Sequence, residues 1–92
     1  MPIGSFANSI PPAVFLLIHA VLFVGAAVLA SRAFRADERG LGTGLSLYAV
    51  GEILYMTYHL DWTVFLFAHT LAEVFMAAGF VVVFASVIQR AS

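Results

Sequence analysis

Apolar side chains fill three long stretches of this chain, and polar ones fall in the gaps or at a few isolated positions within them. The first stretch, AVFLLIHAVLFVGAAVLA, predicts a helix over residues 12–34. At about 1.5 Å per residue, that length crosses a hydrocarbon core roughly 30 Å thick. Pro11 and Pro12 mark its start, because proline fits a first helical turn and breaks an interior one. The preceding MPIGSFANSI has no arginine or lysine, so a retained helix is expected here and not a cleaved secretory signal.

A second helix is predicted over 45–60 and a third over 62–88. SRAFRADERGLGTG reads as the polar connection between the first two. The stretch around Leu60-Asp61-Trp62 is short enough to demand a tight antiparallel turn, with Asp61 expected as a helix N-cap and His59 with Asp61 as an interfacial polar pair. The third stretch exceeds one bilayer crossing, so it is expected to tilt or project.

Composition turns these elements into a fold class. Hydrophobic residues make up 63% of the 92 and charged ones 10%, against roughly 25% charged in soluble domains. Such a balance cannot cover a water-facing surface. The expectation is one all-α domain over 1–92, an integral membrane three-helix bundle with short loops. All four cations are arginines (Arg32, Arg35, Arg39 and Arg90), and three crossings put them on one side. The positive-inside rule then expects a multi-pass protein of the cell membrane with its amino terminus outside and its carboxyl terminus in the cytoplasm. Trp62, Tyr58 and Tyr55 gather near the outer turn, as an interfacial aromatic belt does.

Charge and residue types also exclude chemistry. A net charge of −1 gives no electrostatic footprint for nucleic acid. Without cysteine there is no disulfide, thiolate metal site or thiol nucleophile, and without lysine there is no Schiff base. The serines are not placed to complete a triad with His59 and Asp61, so an enzyme is not the expected reading.

The candidate chemistry lies in five ionisable side chains within the apolar stretches: His19, Glu52, His59, His69 and Glu73. A charge at a membrane helix centre costs roughly 2.5–3.5 kcal/mol on insertion scales, so these groups are expected to face protein and to have partners. Tyr48, Glu52, Tyr55 and His59 follow steps of four, three and four along one face of the second helix. Phe65, His69, Glu73 and Met76 share one face of the third. Helical rise puts His19, Glu52 and His69 about 9–12 Å below the outer boundary, with Glu73 and Tyr48 about a turn deeper and His59 close to the surface.

Histidine with carboxylate is a ligand set for zinc, iron, manganese or copper. A transition-metal site of His19, Glu52, His69 and Glu73 is therefore the leading expectation, with Tyr48, Tyr55 and His59 around it as hydrogen-bond partners. Haem or a chlorin held by His19 and His69 is an alternative cofactor. A purely structural polar network is another, since a buried carboxyl can be protonated and hydrogen-bonded. A proton path is weaker, because no ionisable residue lies in the inner half of the membrane below Glu73. Three small helices leave much surface uncovered. A homo-oligomer, or an accessory subunit of a larger respiratory or photosynthetic membrane complex, is expected.

Overall fold

In the computed structural model, which describes residues 3–91, the chain forms a short 3-10 turn at Ser5–Ser9 and three helices. These are α1 (Pro12–Arg35), α2 (Arg39–His59) and α3 (Phe65–Ala91). All three are long enough for a bilayer at about 1.5 Å per residue. Only α1 and α3 are also apolar enough to cross one. Glycines, tyrosines, serine, threonines and Glu52 dilute the apolar side chains of α2.

The helices begin where the proline signal places them and end by a device that was not expected. Pro12 occupies the first turn of α1, after an extended Pro11. At its other end Asp37 takes a left-handed backbone, φ 60°, and the chain closes with Asp37 N–H on Phe34 O and Glu38 N–H on Ala33 O. Asp61, φ 63°, does the same for α2: its N–H bonds Tyr58 O, and Trp62 N–H bonds Thr57 O. Both are Schellman terminators with aspartate where glycine is usual. Asp61 therefore closes α2 and does not cap α3, which starts four residues later. It makes no ion pair with His59 among the described residues.

The expected polar connection is largely helical. Only residues 36–38 separate α1 from α2, and the glycine-rich stretch forms the first turns of α2. Tertiary packing overrides glycine's poor helix propensity here. A Cβ on Gly40 would strike the side chain of Ser86, and one on Gly42 would lie 2.8 Å from the Phe34 ring. One on Gly44 would stand 2.7 Å from the carbonyl oxygen of Gly79. Across that crossing, a Cβ on Gly79 would stand 2.5 Å from the carbonyl oxygen of Gly44.

Nearly every buried side chain is correspondingly small: Ala26, Ala30, Ala49, Ala68 and Ala72 with the glycines. Large residues such as Leu17, Leu66, Phe80 and Val81 point outward. This is the pattern of helices that associate by close backbone approach, with lipid able to satisfy the large apolar groups.

The three helices do not enclose a common axis. α2 packs against both neighbours, while no Cα of α1 comes within 8 Å of a Cα of α3. The helices lie side by side in the order α1, α2, α3, with one apolar cleft between α1 and α2 past Gly25 and another between α2 and α3 past Met76. At the arginine-bearing end, Arg90 donates to Glu38 at 2.9 Å, tying the end of α3 to the start of α2.

Candidate functional site: a histidine–carboxylate cluster at the Asp61 end

The polar stripe of α2 meets α1 and α3 near the Asp61 end of the molecule. Gly51 lets α3 approach so closely that an added Cβ would lie 2.7 Å from Met76 Cγ and 3.2 Å from the carbonyl oxygen of Ala72. The next residue, Glu52, is 2% exposed, the sole buried charged residue among those described. Its two carboxylate oxygens lie 3.3 and 3.2 Å from Nδ1 of His19, reaching across from α1. An ionised carboxylate only accepts, so opposite it Nδ1 is the donor, and in the neutral ring of that tautomer Nε2 is the nitrogen with the lone pair.

Aromatic rings surround that pair. The His19 ring stacks on Tyr55 at 4.9 Å and on His59 at 5.3 Å. His59 stacks in turn on Phe15 at 5.2 Å and meets Tyr58 edge-on at 5.0 Å. On the α3 side, Tyr58 meets Phe65 at 5.4 Å, Phe65 stacks on His69 at 5.0 Å, and His69 lies 6.0 Å from Tyr55. His59, His19, Tyr55, His69, Phe65 and Tyr58 thus form a closed circuit of ring contacts spanning all three helices. Each pair is worth about 0.5–1.5 kcal/mol beyond its area, so the circuit clamps the Asp61 end together.

The four residues expected to share one metal ion divide into separate groups. His19 pairs with Glu52. Glu73, exposed on α3, instead accepts a hydrogen bond from the Tyr55 hydroxyl at 2.6 Å. His69 turns to Phe65 and Tyr55 and has no hydrogen bond among the described residues. Among those residues, no group of three or more histidine, aspartate or glutamate side chains converges in a way that could hold an ion. The physical reason is the open arrangement: α1 and α3 flank α2 on opposite sides, so the Tyr55 ring stands between His19 and His69.

That position of Tyr55 also bears on haem, since two axial imidazoles need an unobstructed line between them. Of the expected surrounding residues, Tyr55 and His59 lie directly on His19, while Tyr48 contacts no hydrogen-bond partner among the described residues. Phe15, Tyr58 and Phe65 were not foreseen as part of the cluster. Two of them were signalled by spacing, since Phe15 stands four residues before His19 and Phe65 four before His69. No protein family, curated protein or solved structure matches this chain.

Proposed function

We propose that the chain is a three-span membrane protein with the Asp61 turn outside, and that its work is to bind a ligand through His19. Packing supports α2 as the third span despite its composition. Its flanks are covered by α1 and α3, its peptide groups are paired within the helix, and most of its polar side chains turn toward those neighbours. A span shielded in this way needs less apolar surface than one facing lipid on every side. Orientation follows from the arginines at the other end, where Arg90 meets Glu38.

The observation that carries the reading is the Glu52–His19 pair. A metal-binding histidine nearly always gives its second ring N–H to a carboxylate or carbonyl, which fixes its tautomer and raises its basicity. Glu52 is suited to that supporting role, with His19 Nε2 as the donor atom to a transition metal ion. Remaining ligands then come from a second copy of the chain or from outside it, so metal binding and a homo-oligomer become one expectation. Elemental analysis of protein purified without an affinity tag tests this. Stoichiometric zinc, iron, manganese or copper is expected, lost in His19→Ala and held about 10–100-fold more weakly in Glu52→Gln. Wild-type protein without metal above trace ends the reading.

One observation favours a second reading, that of a subunit in a larger membrane complex. Glu73 lies exposed on α3, a predominantly apolar helix, with Tyr55 its one hydrogen-bond partner among the described residues. A carboxyl at that depth calls for cover from another chain. Co-purification of a larger protein in mild detergent, lost in Glu73→Leu, is the expected result; a stable homo-oligomer without partners counts against it.

A further inference from the structure

We propose that a cleft between α1 and α2 at the arginine-bearing end binds an anionic phospholipid of the inner leaflet, with its phosphate on Arg35 and one acyl chain in the cleft. The proposal rests on the membrane placement above and does not require a metal at His19.

The cleft encloses about 550 Å³, with Phe23, Ala27 and Phe34 lining it from α1 and Ala49, Val50 and Ile53 from α2. Its α1 residues lie on the opposite side of that helix from Leu22, Gly25 and Leu29, so it is separate from the cleft past Gly25. Ala27 and Ala49 keep the floor open, and Phe34 stands at the inner end against Gly42. The length suits one leaflet. Arg35 ends α1, and Phe23 lies twelve residues deeper, about 18 Å by helical rise. Half of a hydrocarbon core about 30 Å thick is close to that distance.

The order of polar groups selects the occupant. Arg35 lines the mouth and Ser31 the next turn inward; beyond them the walls are apolar except for Ser46, whose hydroxyl already donates to Gly42 O at 2.7 Å. The Ser31 hydroxyl has no hydrogen-bond partner among the described residues. Both acids at this end are engaged, Asp37 with Arg39 at 3.8 Å and Glu38 with Arg90 at 2.9 Å. Arg35, and Arg32 three residues before it, have no acidic partner among the described residues. A guanidinium fork matches a phosphate, and Ser31 lies one turn below it, at the level of the ester carbonyls. No charged residue among those described lines the cleft past Gly25 or the one past Met76. A wholly apolar occupant leaves Arg35 without a counter-charge. A second copy in the same orientation brings its own Arg32 and Arg35 to that level, like charge against like. An anionic phospholipid neutralises the mouth and fills the slot beneath it, and the cytoplasmic leaflet is where such lipids collect.

The test uses the full chain in an uncharged maltoside detergent, titrated with dioleoyl phosphatidylglycerol or dioleoyl phosphatidylcholine and read by native mass spectrometry. One phosphatidylglycerol per chain should bind about tenfold tighter than phosphatidylcholine. Arg35→Gln should abolish most of that preference, and Ala27→Leu, which fills the slot, should weaken both lipids about tenfold. Glycerol phosphate in excess should not displace the lipid, because it lacks the acyl chain. His19→Ala should leave lipid binding in place, which separates this proposal from the metal reading. Helical circular dichroism checks that each variant folds. Equal affinity for the two lipids in a chain that alkaline washing does not release from membranes overturns the lipid site and leaves the membrane placement standing. Binding that neither Arg35→Gln nor Ala27→Leu weakens also overturns it, as does displacement by glycerol phosphate. So does a lipid-free dimer that Ala27→Leu dissociates, since the cleft would then hold a helix of a second copy.

Discussion

Nδ1 of His19 stands 3.2 Å from Glu52 Oε2 and 3.3 Å from Oε1, and the pair joins two helices that have no other polar link among the described residues. Glu52 is 2% exposed, so removing its partner leaves a carboxyl buried without compensation. Breaking such a pair from one side costs about 3–5 kcal/mol, while replacing both partners with apolar groups is often neutral. His19→Phe should therefore lower stability to mild denaturation by about 3 kcal/mol, and His19→Phe combined with Glu52→Leu should recover most of it. A double-mutant cycle in detergent reads the coupling; an additive result would mean the pair carries no interaction of its own.

Much of this site is readable in the sequence, because helical periodicity is an intramolecular property. The spacing of Tyr48, Glu52, Tyr55 and His59 fixes them to one face of α2 whatever surrounds it. Depth estimates likewise bring His19 level with Glu52. What periodicity cannot reveal is how helices are arranged around one another. A closed bundle would bring His19 and His69 to one point; the open order α1, α2, α3 puts Tyr55 between them. The start of α2 was hidden for a related reason. Gly40, Gly42 and Gly44 read locally as a loop, and only contacts with Ser86, Phe34 and Gly79, far away in sequence, make that segment helical.

Asp37 and Asp61 sit at positive φ, where a side chain is strained and glycine is not. Asp61→Gly should raise stability by about 0.5–1 kcal/mol by relieving that strain, and Asp61→Val should lower it by about 1–2 kcal/mol. Chemical denaturation of both variants beside wild type checks the sign. Stabilisation by valine would show that the left-handed turn is not retained.

The Arg90–Glu38 contact, 2.9 Å long, is the shortest ion pair among the described residues, yet its arginine side chain is 51% exposed. Exposed pairs contribute about 0–1 kcal/mol and weaken with salt. Arg90→Gln should shift the unfolding midpoint little, and less at 1 M salt than at 0.1 M. A loss of several kcal/mol would mean that Arg90 has a role beyond this contact.

The glycines provide the sharpest contrast between packed and open helix faces. At the α2–α3 crossing, a methyl on Gly44 would press on the Gly79 carbonyl oxygen at 2.7 Å, and backbone on both sides leaves it nowhere to go. Gly44→Ala should therefore force the helices apart and cost about 1–3 kcal/mol. Gly25→Ala meets nothing within 4 Å and exchanges a flexible helix position for alanine, a gain of up to about 1 kcal/mol. The same chemical change should thus have opposite signs at two glycines nineteen residues apart. Denaturation of the two single variants decides it. If both destabilise alike, then Gly25 also lies against a neighbour, and the cleft between α1 and α2 that it lines is already filled by protein.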